Sequence, residues 1–216
     1  MSNSLLIIGA GPGMSDATAE RFGKEGWHIL LGARTKARVD EQVGALVAKG
    51  IKADALQVDA SKPDAVRDAF AKAEEITGGL KAVLYNASIV RQQDLFSMTD
   101  AEIESDLAIN VGGAMATVRA AVDTFGDRGG VILFTGGGFA VHPNADWMSL
   151  SVGKAGARAL VQALAPELAK KKIRLGMMTV ATLVAPGSKE ASDVAEGFWT
   201  LANNKDSAWE TVYPAG

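Results

Sequence analysis

The chain has 216 residues, 48% of them hydrophobic and 22% charged, with a net charge of −3. That length suffices for one domain burying a core on both faces of a sheet, and the charge balance offers no basic field for nucleic acid or an anionic membrane. With no cysteine and only His28 and His142, disulfides, thiolate metal sites and cysteine nucleophiles are excluded, and no metal site is expected.

Apolar runs alternate with helix-period segments along the chain. Residues 5–8 read as a strand and 13–24 as a helix opening after a glycine turn. A strand over 28–31 precedes a helix over 36–49, and a strand over 53–58 precedes a helix over 63–77, with Pro63 near its first turn. A strand over 82–85 leads to one long helix over 100–125, and a strand over 131–134 to a helix over 149–170. The tail reads as a strand over 174–179, a short helix over 192–202 and a last strand over 211–213. Strands dense in Val, Ile and Leu without alternation suit a parallel sheet covered on both faces. The expected fold is therefore α/β: a Rossmann-type, doubly wound parallel sheet flanked by helices on both faces, as a single domain over 1–216.

The opening strand is too short for a signal-peptide core and has no basic flank before it. No stretch approaches the ~18 apolar residues that span a bilayer. A cytoplasmic protein without membrane or nucleic-acid partners is the expectation.

Gly9-Ala10-Gly11-Pro12-Gly13-Met14-Ser15 lies between the first strand and first helix. Glycines there permit a tight turn and let a pyrophosphate approach backbone amides at a helix N-terminus, where the helix dipole favours negative charge. Gly9, Gly11, Gly13 and Met14 are thus candidate dinucleotide contacts. The spacing Gly9-x-x-x-Gly13-x-Ser15 resembles the Gly-x-x-x-Gly-x-Gly of the short-chain dehydrogenase/reductase family, with serine for the third glycine, a mild departure at a close helix–strand contact. Val58-Asp59-Ala60 resembles the segment whose aspartate lies by the adenine, and Asn86-Ala87-Ser88 the family's Asn-Ala-Gly after the fourth strand. Asn110-Val111 resembles the family's Asn-Val, whose asparagine helps carry a water relay to the catalytic lysine.

The second strand ends in Gly32-Ala33-Arg34-Thr35. NAD-selective proteins of this type usually carry an acid here for the adenosine ribose. Ala33 removes the repulsion of a 2′-phosphate, and the Arg34 guanidinium can pair with one, with Thr35 as a helper. NADP(H) is therefore expected over NAD(H).

Leu150-Ser151-Val152-Gly153-Lys154 has the spacing and setting of the family's Tyr-x-x-x-Lys, with Leu150 where the tyrosine is expected. Gly137 stands where the family's substrate-orienting serine is expected. The resemblance implies that Lys154 binds the nicotinamide ribose and that Asn110 supports it, but the standard proton donor is missing. Ser151, Trp147, Ser149, Asp146 and Thr135 lie near enough to be weighed, with helix capping the plainer role for Ser149 and Asp146. His142 is the candidate whose ordinary pKa suits proton transfer near neutrality.

Val180-Ala181 occupies the family's Pro-Gly position, Pro186-Gly187 follows later, and the substrate lid reads as truncated around 181–192. Thr182 carries over as a contact to the nicotinamide carboxamide. Three functions stay open: an NADP(H)-dependent oxidoreductase with a non-standard proton relay and an unknown small-molecule substrate, an inactive NADP(H)-binding sensor or partner subunit, and a scaffold that no longer binds cofactor. Family members associate through the helices matching 100–125 and 149–170, which implies a homodimer or homotetramer.

Overall fold

The computed structural model describes residues 3–204 and 208–215. In chain order the strands are β1 (Ser4–Ile8), β2 (His28–Ala33), β3 (Ala53–Gln57), β4 (Ala82–Tyr85), β5 (Gly130–Gly137), β6 (Ile173–Val180) and β7 (Glu210–Tyr213). The α-helices are α1 (Met14–Lys24), α2 (Lys36–Ala48), α3 (Pro63–Thr77), α4 (Asp100–Leu107), α5 (Ala114–Phe125), α6 (Met148–Ala169) and α7 (Lys189–Asn203). The strands form one sheet in the order β3-β2-β1-β4-β5-β6-β7, with every neighbouring pair parallel. The order reverses between β1 and β4, so a crevice opens at their carboxyl ends, where open α/β sheets take their ligands.

Alternate residues of each strand feed opposite cores. Leu6, Ile8, Leu30, Val83 and Phe134 pack with Phe70 of α3, Phe125 of α5 and Val161 of α6. Leu5, Ile7, Ile29, Leu31 and Leu133 pack on the other side with Phe22 of α1, Leu46 of α2 and Phe198 of α7. Because both faces are covered, the strands read as unbroken apolar runs rather than as alternating ones. Among the described residues no helix is long and apolar enough to cross a membrane.

Three boundaries depart from expectation for identifiable reasons. The helix expected over 100–125 is not one regular α-helix: a π-helical turn, Ala108–Gly113, separates α4 from α5. The Tyr85 hydroxyl donates to the Ile109 carbonyl at 2.5 Å, drawing a partner away from the helix ladder, and Gly113 closes against that hydroxyl and the Ala60 carbonyl. Strand β5 runs on through Thr135-Gly136-Gly137, which pair with Met178, Thr179 and Val180 of β6. Gly136 is needed there, since a Cβ on it would lie 2.7 Å from Thr179 Oγ1. Helix α7 starts earlier than expected because the Ser188 side chain caps it by accepting from the Ala191 amide at 3.2 Å.

Gly113→Ala tests the packing behind the π-helical turn. The added methyl meets the Tyr85 hydroxyl and the Ala60 carbonyl, so unfolding stability should fall by about 1–3 kcal/mol, as for overpacked cores. An unchanged denaturation midpoint would show that this contact is not tight.

Candidate functional site

The carboxyl ends of β1, β4 and β5 are tied together before any ligand is considered. The amides of Gly9 and Ala10 both donate to the Gly32 carbonyl, at 2.8 and 3.0 Å, turning the chain sharply out of β1. Gly9 has φ 91°, and its α-carbon lies hard against Ala87, leaving no room for a side chain. Gly13, at φ 92°, begins α1 without a side-chain cap, so the helix N-terminus offers its first amides to the crevice. Asn86 Nδ2 donates to the Gly9 carbonyl at 2.9 Å, and its Oδ1 accepts from Thr135 Oγ1 at 2.7 Å.

A cleft of about 320 Å³ runs along these ends, lined by Gly9 and Ala10, by Ala33, Arg34, Thr35 and Arg38, and by Asn86, Ala87 and Ser88. Its rim is cationic. Lys36 is neutralised by Asp40 at 2.7 Å, whereas the exposed Arg34 and Arg38 side chains make no hydrogen bond or ion pair among the described residues. Arg38, in the first turn of α2, joins the cleft although no strand-end position points to it; its place four residues after Arg34 in the same basic cluster is the signal in the sequence. Asp59 stands between the lining residues Val58 and Ala60, with its carboxylate accepting from the Ser61 amide and hydroxyl at 3.0 and 2.7 Å. Partial burial raises the Asp59 pKa, but those two bonds with Arg34 and Lys62 outweigh it and leave the group below its ordinary value.

Lys154 sits at the other end. Its ammonium donates to the Thr135 carbonyl at 3.0 Å, and its stem lies over Gly137, where a Cβ would be 3.4 Å from three of its carbons. Burial pushes the ammonium down to about 8. A cavity of about 10 Å³, bounded by Tyr85, Ser88, Asn110, Thr135 and Lys154, is the size of a single water. Asn110, in the π-helical turn, accepts from the Ile89 amide at 2.8 Å and Ser88 Oγ at 3.2 Å, and donates to the Ile89 carbonyl at 3.2 Å. Helix α6 can press against it because residue 153 is glycine, whose Cβ would lie 2.5 Å from that of Asn110.

The remaining candidates separate from this cluster. The Ser149 hydroxyl donates to Asp106 at 2.7 Å, a fully buried carboxylate that also holds Arg91 at 2.9 Å. Ser151 Oγ accepts from the Asn144 amide at 3.1 Å, and the Thr135 hydroxyl is taken by Asn86. Trp147 stacks on Phe139 with centroids 5.8 Å apart. Asp146, His142 and Thr182 are exposed and, like Met14, line neither cavity. Met14, the first residue of α1, instead packs against the core. Residues 181–188 pass from β6 to α7 in front of the glycine turn, with the Val184 carbonyl 3.8 Å from where a Gly13 Cβ would stand.

The buried amine makes a pH prediction. Its folded pKa, about 8, lies below the ordinary 10.5, so the unfolded chain binds the proton more readily between those values. The cost of burying the charge is complete below about pH 8 and is relieved as pH rises toward 10.5. The stability of the wild type relative to Lys154→Met should therefore increase over that window. A difference independent of pH would place the ammonium in water.

A parallel sheet with a glycine turn at its switch point, leading into an amide-rich helix N-terminus, defines a Rossmann-type nucleotide-binding fold. Residues 3–195 match the model of the short chain dehydrogenase family, and the chain belongs to that family of oxidoreductases. It is 29% identical over 187 residues to carbonyl reductase family member 4 of Danio rerio, covering 87% of this chain and 76% of that one. It is 26% identical over 202 residues to the 2,3-dihydro-2,3-dihydroxybenzoate dehydrogenase of Bacillus subtilis (strain 168), covering 93% and 75%. Among solved structures, a metagenomic short-chain oxidoreductase in complex with NADP superimposes with a TM-score of 0.89 at 22% identity, covering 98% of this chain and 97% of that one. An alcohol dehydrogenase from Thermococcus sibiricus complexed with 5-hydroxy-NADP gives 0.86 at 22% identity, covering 98% and 96%.

Proposed function

We propose that this protein binds NADP(H) in the cleft and exchanges hydride with a small carbonyl or hydroxyl compound, with Lys154 as the proton donor. The carrying observation is the pair of guanidinium groups, Arg34 and Arg38, that make no hydrogen bond or ion pair among the described residues, on a cleft whose usual acidic position is Ala33. Two cations beside an uncharged methyl suit the 2′-phosphate of NADP(H), with no carboxylate at position 33 to repel it. The rest of the cleft fits the group as well: the glycine turn admits a pyrophosphate, and Asn86 and Thr135 brace the far end.

NADP(H) would supply the hydride; the proton must come from the chain. On this reading Leu150 stands in place of the family's tyrosine, is 5% exposed and has no proton to give. Gly137 stands in place of the serine and leaves the space over which the Lys154 stem lies. An ammonium with a pKa near 8 is a competent acid at neutral pH, being mostly charged yet ready to release its proton. Asn110 holds the segment Ser88–Ile89 beside the small cavity through which a water can reach Lys154. Lys154 is favoured over His142 because His142 is exposed and lines neither cavity.

A second reading, NADP(H) binding without turnover, draws on the Thr135 carbonyl that already holds the Lys154 ammonium. A panel of aldehydes and ketones, followed by loss of NADPH absorbance, separates the two. Substrate-dependent oxidation supports the oxidoreductase. Saturable NADPH binding with no oxidation across the panel supports the binding protein.

A further inference from the structure

Within the glycine turn, Gly9 and Gly13 are held by their contacts and their place at strand and helix ends, but Gly11 has no such support. A Cβ built on Gly11 would meet nothing within 4 Å, so no side chain or backbone hems it in. An unsupported glycine loses the most conformational freedom when it is ordered. Left loose, Gly11 would have to be ordered by the ligand, at a cost in affinity.

One hydroxyl removes that freedom. Ser15 Oγ accepts from the Gly11 amide at 2.9 Å and donates to the Gly11 carbonyl at 2.9 Å. The amide belongs to the peptide plane shared with Ala10, and the carbonyl to the plane shared with Pro12. Both planes flanking the Gly11 α-carbon are thereby pinned, which restrains its φ and ψ together. Ser15 lies in the first turn of α1 and is 1% exposed, so water does not compete for its hydroxyl.

We infer, taking the cleft as an NADP(H) site, that Ser15 is a positioning residue: it clamps Gly11 so that the glycine turn holds its ligand-receiving shape before ligand arrives. A glycine at position 15 cannot make this clamp. The open side of Gly11 stays free for the ligand's diphosphate, while its two polar groups are satisfied internally.

The test compares wild type, Ser15→Ala and Ser15→Gly, each titrated with NADPH and with adenosine 2′-monophosphate, which carries the rim-binding phosphate but no diphosphate. Hydrogen exchange of the Gly11 amide is measured on the ligand-free proteins. The NADPH Kd should rise roughly 5–10-fold in both variants, while the Kd for the monophosphate changes less than about twofold, and Gly11 exchange should accelerate. An unchanged NADPH Kd, or equal weakening of both ligands, would overturn the positioning role. Wild-type protein that binds neither ligand would reject the cofactor reading itself, and slow Gly11 exchange would then mark a purely structural hydroxyl.

Discussion

Alanine at both Arg34 and Arg38 is expected to weaken NADPH binding by roughly 10–100-fold while leaving NADH binding within about twofold. A hydrogen bond to a charged group contributes about 1.5–3 kcal/mol, and two exposed guanidinium groups deliver less than twice that because salt and water screen them. Among the described residues neither group has to give up a hydrogen bond or ion pair to reach a phosphate, unlike Lys36, which is held by Asp40. The NADPH preference should also shrink as salt is raised. Equal loss of both cofactors would place the 2′-phosphate elsewhere and remove the reason for preferring NADP(H).

The second large effect belongs to Lys154. Lys154→Ala should lower kcat by roughly 10²–10⁴-fold, the range of a positioned general acid, with a much smaller change in the Kd for NADPH. The wild-type rate of carbonyl reduction should fall as pH rises through about 8, because the donor must carry its proton, and the reverse oxidation should show the opposite limb. His142→Ala should leave both limbs in place. Turnover that survives in Lys154→Ala with an unchanged pH profile would transfer the donor role to another group.

Much of the fold was legible because its strands are buried on both faces, so Leu5–Ile8 or Ala82–Tyr85 announce themselves as short apolar blocks. The break in the helix over 100–125 was not, because it comes from a side chain distant in sequence, Tyr85, seizing the Ile109 carbonyl. Helical periodicity carries no trace of such a contact. The end of β5 was hidden by glycines that weaken a strand pattern, one of which, Gly136, is demanded here by Thr179 and Met177.

The site divides in the same way. Gly9, Gly11, Arg34, Thr35, Asn86 and Ala87 follow from position at strand ends, and all but Gly11 line the cleft; a Cβ on Gly11 would meet open space. Asn110 and Lys154 meet at the small cavity. Hydroxyl donors near the α6 start were plausible by spacing alone, but Ser149 and Ser151 are bound to Asp106 and Asn144, and such pairings exist only once the chain is folded. Ser15 is the clearest case: in the sequence it is a glycine replaced, whereas in the fold its hydroxyl restrains the freest residue of the turn.

The decisive measurement is titration of the wild-type protein with NADPH, read from nicotinamide emission and tryptophan quenching. Saturable, one-site binding in the micromolar range is expected, reversed by adenosine 2′-monophosphate. Absence of saturation up to millimolar NADPH would contradict an NADP(H) site in the cleft.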